Sequence, residues 1–471
     1  MSEDDDFDGL ESTKVEGATA ESSSPSTDHG TDYPSYCIVG GAHAFILRIS
    51  SLFGLAPLRF KPHEKGFSVS LSSAMCVYSY ILVTLLVILA VFGMVAEIQV
   101  GVEFSVRMTS RITQVVSTGD MLVVVVTACA GVYGAPKRMR IMLGFMEKVA
   151  SVDNSIGCQY SGLTERKLCA ILLAILIFFT VLIADDFCFY ALQATKVDRE
   201  WDMVINYIGF YLLWYVVMIL ELQFAFTALS VHARFRAVNE ALALTARQVA
   251  VPVDLPRCPP LNIYAIRVSP VVSQRSANVS LLVDSMPTKE STVIIKRIVS
   301  GEPRLVVAPC EAIRRLAVLY GTLCEVVHSI DDSYGLPLIV IIISTLLHLI
   351  ITPYFLIMEL IVSTNRIHFL VLQFLWCGTH MLRMFVLVEP CHYTANEGKR
   401  TESLICRLMT STPSNGVLPS RLELFSRQLM LQSVNYSPMG MCTLDRPLVA
   451  SVIGAVTTYL VILIQFQRYG T

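Results

Sequence analysis

Gln373, Trp376 and His380 recur at i, i+3 and i+7, which places an amide, an indole and an imidazole on one helical face. Thr352 and Tyr354 lie in a second apolar stretch, and Asn206, Tyr207, Tyr211 and Trp214 in a third. Asp186, beside Asp185, ends a fourth, and Asp120 interrupts a fifth. Aromatic faces stack on sugar C–H surfaces while fixed amides, hydroxyls and carboxylates pair with hydroxyls, so this set suits a small polyol. Such a site discriminates well, because a missing hydroxyl leaves a buried polar group unpaired. Each residue also has a plainer reading. Trp and Tyr anchor helices at membrane boundaries, aspartates are solvated at helix ends, Thr352 bonds its own backbone beside Pro353, and Gln373 bridges two helices. No nucleophile–base pair, phosphate loop or cofactor fingerprint occurs, so neither catalysis nor a cofactor is expected. Thirteen cysteines are scattered without a C-x2-C pair, which predicts neither a metal site nor a disulfide scaffold.

The elements that must position these residues follow from composition. The chain has 471 residues, 54% hydrophobic and 16% charged, with a mean hydropathy of +0.59. Soluble proteins carry about 25% charged residues, so an integral membrane protein is expected. A net charge of −2 with dispersed basic residues gives no footprint for nucleic acid. Apolar stretches of about 20 residues cross a membrane as helices. Seven are found, at 74–97, 111–134, 168–190, 203–229, 336–362, 367–388 and 447–467. His380 and Arg383 make the sixth the weakest. Glu221 and Arg383 are expected to form a structural ion pair or to snorkel, and His348 to be a hydrogen-bonded packing residue.

Counting 1.5 Å per residue from the outer boundaries puts Gln373 and Trp376 about 10 and 15 Å deep, and Tyr354 and Thr352 about 12 and 15 Å deep. That common depth groups the candidates. Residues 1–36, with ten acids and one lysine, read as a disordered cytoplasmic tail. Residues 37–66 read as an interfacial or re-entrant helix ended by Pro57, and 67–248 hold spans one to four. Residues 249–305, with seven prolines, read as a flexible insertion. A cytoplasmic helix and spans five and six occupy 306–400, a further cytoplasmic helix 401–446, and the last span 447–471. Spans four to six should project helical extensions that pack outside the bilayer.

Orientation follows lysine and arginine in the connections. One set of connections carries 28 of them and the other six; without the long loop the ratio is still 16 to six. This predicts a cytoplasmic N-terminus and an extracellular C-terminus, the reverse of a G-protein-coupled receptor. The sequons at Asn278 and Asn435 fall on the cytoplasmic side and should carry no glycan.

On the last span Ser451, Gly454, Thr458, Val461 and Gln465 recur at steps of three or four. Such a small or polar stripe must face something other than lipid, either a helix–helix seam or a pore. Under rotational symmetry it becomes rings around an axis, and a ring of amides replaces part of an ion's hydration shell. Phe466, beside Gln465, would supply a hydrophobic constriction.

The run Thr458-Tyr459-Leu-Val-Ile-Leu-Ile-Gln465-Phe466 resembles the TYhhhhhQF signature of insect gustatory receptors at every position. Asp331-Asp332-x-Tyr334-Gly335-Leu-Pro337 and His348-Leu-Ile-Ile-Thr352-Pro353-Tyr354-Phe355 are similar to the fructose-receptor branch. The resemblance implies an all-α plasma-membrane protein that assembles as a homotetramer in the bilayer, its last helices lining a pore for Na, K and Ca. It also implies a ligand, D-fructose or a close relative, bound in an outward-facing cavity of each subunit. The rival readings are a G-protein-coupled-type receptor and a secondary transporter for a small polar solute. The absence of internal repeats counts against the transporter.

Overall fold

A backbone in hydrocarbon must satisfy its own hydrogen bonds, so long Leu, Ile, Val and Phe runs fold as helices. The computed structural model describes residues 36–64, 66–101, 105, 107–108, 111–156, 162–250, 293–297, 303–362, 367–412 and 417–470. Among these, seven helices are long and apolar enough to cross a membrane, matching the seven expected. The tail at 1–35 and most of the 249–305 insertion, with Asn278, lie outside the described residues.

In chain order the elements are strand β1 (Cys37–Val39), helix α1 (Gly41–Leu52), strands β2 (Leu58–His63) and β3 (Gly66–Leu71), and helices α2 (Ser73–Val100), α3 (Arg111–Tyr133), α4 (Ala135–Ile156), α5 (Gly162–Ala194) and α6 (Glu200–Ala250). A hairpin of β4 (Ile295–Arg297) and β5 (Pro303–Leu305) precedes α7 (Pro309–Val362), α8 (Ile367–Ser411), α9 (Leu418–Leu431) and α10 (Arg446–Gly470).

Three departures from the sequence reading are corrections. β1, β3 and β2 form an antiparallel sheet, Cys37 opposite Val69 and Phe60 opposite Val69, so the chain is not wholly helical. These strands are too short for their alternation to stand out beside the helical periodicity of α1. Helix α1 ends at Leu52, before Pro57, because Gly54 takes a positive φ of 76° and turns the chain back. It rests on the sheet through Arg48, whose guanidinium lies 3.9 Å from the Phe67 ring centroid. The end of the long insertion is also ordered: Ile294 is fully buried and its amide donates to the Ser155 carbonyl at 2.8 Å.

Helix α6 has 51 residues and α7 has 54. At 1.5 Å per residue each is about 75–80 Å long, more than twice a hydrocarbon core of about 30 Å. Their outlying halves pack as in a soluble protein. Tyr320 on α7 lies 5.5 Å from Phe235 on α6 and 5.7 Å from Phe425 on α9, measured between ring centroids. Asn239 on α6 donates to the Glu397 carbonyl at 2.8 Å and accepts from the Thr401 hydroxyl at 2.7 Å, which ties in α8. The sheet and α1 share this end of the molecule, called the sheet end below.

At the other end α2 crosses α6 at glycines. A Cβ on Gly93 would fall 2.0 Å from the Asn206 carbonyl oxygen, and one on Gly209 would fall 2.9 Å from the Ala90 amide nitrogen. Only bare backbone permits this approach. Helix α10 is the least covered span: Val449 and Val452 pack on Leu349, Met384 and Val388, and little else of it is buried.

Candidate ligand-binding site

The candidates come together in the half of the bundle away from the sheet end, around one buried carboxylate. Asp186 stands near the end of α5 and is 3% exposed, so the alternative of a solvated helix-end acid is wrong for it. Its neighbour Asp185, at about 100° around the helix, does face outward and meets His368 at 3.3 Å. The Tyr211 hydroxyl donates to Asp186 Oδ2 at 2.5 Å and the Trp376 indole N–H donates to Oδ1 at 3.2 Å. Trp376 is itself buried, its ring 5.7 Å from Trp214, 6.0 Å from Phe179 and 5.6 Å from His380. A carboxylate buried among aromatic rings needs such donors, since an unpaired charge there is costly.

From Trp376 the polar groups continue as a chain across the bundle. His380 stacks on His348 with ring centroids 4.8 Å apart, and His348 Nε2 meets Asp120 Oδ1 on α3. His348 Nδ1 faces the Ser344 carbonyl oxygen at 2.5 Å. The floor is a buried ion pair. Arg383 donates to the Glu221 carboxylate from Nη2 at 2.5 Å and from Nε at 3.0 Å, while its guanidinium lies 4.8 Å from the Trp214 ring centroid. Thus the two residues that weakened the sixth apolar stretch, His380 and Arg383, point into the protein.

Above Asp186 lies a polar cleft lined by Glu97, Arg107, Tyr190, Arg199, Met203 and Tyr207, with void space of about 250 Å³ including its open side. Arg107, in the α2–α3 connection, donates to the Tyr211 hydroxyl at 3.2 Å and stands between this cleft and the aromatic box formed by Trp214, Trp376 and His380 beside Asp186. Its guanidinium is 5.1 Å from the ring centroid of Tyr190 and 5.4 Å from those of Tyr207 and Phe210. Burial opposes its charge, but the surrounding tyrosine oxygens and the Asp186 carboxylate outweigh burial and push its pKa further up. Glu97 anchors the rim, accepting from Arg199 and from the Asn206 amide, each at 3.4 Å.

Asp186, Tyr211, Trp214, Trp376 and Asp120 therefore share one connected cluster, and Asn206 and Tyr207 its rim. Thr352 is buried one turn beyond His348 on the same face of α7, whereas Tyr354 and Gln373 are half-buried and no described contact joins them to the cluster. The reading of the sequence missed Glu97, Arg107 and Arg199 as members. Glu97 had a signal, an acid near the end of an apolar span. Arg107 has only its position, that of a basic residue in a connection.

On α10 the stripe of Ser451, Gly454, Thr458, Val461 and Gln465 is exposed along its whole length. With 100° per residue it lies opposite Val449 and Val452, the residues that attach α10 to the bundle. The side chain of Phe466 lies outside the described residues.

A seven-helix bundle with long packed extensions and a buried polar–aromatic cluster is the architecture of a multi-pass membrane protein. Residues 43–469 match the 7tm chemosensory receptor family, and the chain belongs to that family. It is 29% identical over 439 residues to the gustatory receptor for sugar taste 43a of Drosophila melanogaster, covering 90% of this chain and 97% of that protein. Gustatory and pheromone receptor 32a of the same fly is 27% identical over 95 residues, 20% of each chain. Among solved structures, the olfactory receptor OR5 of Machilis hrabei in complex with eugenol aligns with a TM-score of 0.57. It is 11% identical and covers 90% of this chain and 97% of that one, so the likeness is one of fold.

Proposed function

We propose that the protein is a taste receptor acting as a sugar-gated, non-selective cation channel, with D-fructose or a close relative as ligand. In this reading four copies surround a pore lined by α10, the sheet end is cytoplasmic and the aromatic box opens outward. The observation that carries the ligand class is the Asp186-centred cluster beneath a polar cleft. The sugar-taste relative, similar along nearly its whole length, supports the same class.

Sites for small molecules commonly occupy about 300–1,000 Å³, so a cleft of about 250 Å³ with an open side must widen to enclose a sugar. Arg107 is the group to move, because it blocks the way to Tyr211 and Asp186. A sugar would then pair its hydroxyls with Asp186, Tyr211 and Arg107 and stack on Trp376, with Asn206, Tyr207, Trp214, Thr352, Tyr354, Gln373 and Asp120 supporting the walls.

Opening requires that the sugar bind the open state more tightly than the closed one. Helix α7 offers the connection. His348 faces the box, while Leu349, 100° further round, packs on Val449 and Val452 of α10. Pro353 lies in the next turn of α7 and removes one backbone hydrogen bond, which makes that turn a natural bending point. Repacking around His348 would thus move Leu349 against the pore helix.

Cells expressing this chain alone should show a fast, G-protein-independent inward current with calcium entry when given fructose, and no such current with a non-polar tastant. Trp376→Phe keeps an aromatic ring but removes the donor to Asp186, and should raise the half-maximal sugar concentration roughly 5- to 10-fold, the cost of one hydrogen bond. No current with any sugar, or a response abolished by G-protein block, would refute the proposal.

A further inference from the structure

Outside the aromatic box, toward the sheet end, two polar atoms are buried in one apolar groove with no hydrogen-bond partner. They are Ser50 Oγ on α1 and Gln223 Oε1 on α6, whose residues are 0% and 1% exposed. The groove runs between α1, α5 and α6, and Ile46, Ile49, Leu172, Leu176, Ile219 and Leu222 supply most of its walls. Its void space is about 320 Å³ including the open side. A second void of about 410 Å³ reaches Gln223 from the α4 side, with Ile46 forming a wall of both. Along α5 the groove ends at Leu176, ten residues and about 15 Å short of Asp186.

A buried polar atom left without a partner is costly, and native structures hold few of them. The chemistry of this pair selects a partner. Gln223 Oε1 only accepts, while the Ser50 hydroxyl can donate. A ligand hydroxyl can answer either atom, donating to Gln223 or accepting from Ser50. A ketone or ether leaves Gln223 unanswered, and a carboxylate would set its charge against the Gln223 oxygen. The remaining walls are apolar, so the rest of the ligand must be apolar. At the mouth Phe45 and Leu173 are 43% and 37% exposed, and Leu172 lies about 6 Å inside the span expected to begin at residue 168. The groove therefore faces lipid.

We infer that this groove binds the hydroxyl end of a membrane-dissolved lipid alcohol, with its apolar body lying along α1 and α5. A sterol and a diacylglycerol both present that chemistry, and competition separates them. The site is independent of the sugar reading, since it shares no residue with the aromatic box.

The test uses the full-length protein in lipid nanodiscs and a photoreactive sterol with a free hydroxyl, compared with its methyl ether. Saturable labelling should map to peptides containing residues 45–50 or 172–176. It should fall about 5- to 10-fold with the methyl ether, with Ser50→Ala or with Gln223→Met, the loss of one hydrogen bond. Displacement by unlabelled sterol alone would assign the ligand as a sterol, and displacement by diacylglycerol alone as a diacylglycerol. Thermal midpoints check that the variants fold. If Gln223→Met does not fold, Ser50→Ala decides, because deleting a partnerless hydroxyl leaves the packing intact. Equal labelling by the methyl ether, equal labelling of Ser50→Ala, or no enrichment over the lipid-facing sides of α2 and α3 would overturn the inference.

Discussion

Replacing Glu221 by Gln should destabilise the receptor far more than an ordinary polar substitution between membrane helices. Glu221 and Arg383 are 0% and 1% exposed, and two guanidinium nitrogens reach the carboxylate at 2.5 and 3.0 Å. The amide keeps the shape but removes the charge, which leaves the Arg383 guanidinium buried against Trp214 and His380. Breaking a buried pair from one side costs about 3–5 kcal/mol. An interhelical hydrogen bond in a membrane protein averages about 0.6 kcal/mol in double-mutant cycles. The two figures are far enough apart to separate the cases. Removing both charges with Glu221→Gln and Arg383→Met should recover most of the loss, because the cost lies in the orphaned charge. The assay is denaturant or thermal unfolding of wild type, both single variants and the double variant in one detergent, read as a cycle. A Glu221→Gln loss below about 1 kcal/mol would refute the reasoning, as would a double variant as unstable as the sum of the singles.

Gly93→Val should abolish assembly of the α2–α6 crossing, because even the first side-chain carbon would lie 2.0 Å from the Asn206 carbonyl oxygen. Surface labelling of tagged receptor should fall to background while total synthesis is unchanged. Gln465→Glu should change divalent permeation or block at unchanged half-maximal sugar concentration, read from reversal potentials in calcium, since four amides would become up to four carboxylates around one axis. Asn435, exposed before α10 on the expected cytoplasmic side, should show no mass shift with an endoglycosidase. A sequon engineered into the α2–α3 connection should show one.

The seven spans were legible because hydrocarbon demands long apolar helices, and that demand acts on each segment separately. The stripe on α10 was legible for the same reason. Its periodicity belongs to one helix, and its exposure opposite Val449 and Val452 follows from 3.6 residues per turn. Depth can be counted along each helix too, and it groups Trp376 with Gln373, Thr352 and Tyr354. What a single helix cannot carry is the azimuth at which it meets its neighbours. The packing alone decided that Asp186 faces Trp376 and Asp185 faces His368, one residue away. Packing also made His380 and Arg383 core residues, because their partners Trp214 and Glu221 lie more than 150 positions earlier in the chain. Arg107 shows the limit most plainly: nothing in its neighbours along the chain distinguishes it from a charge in water. Only the convergence of Tyr190, Tyr207, Phe210 and Tyr211 from two other helices surrounds its guanidinium with aromatic rings.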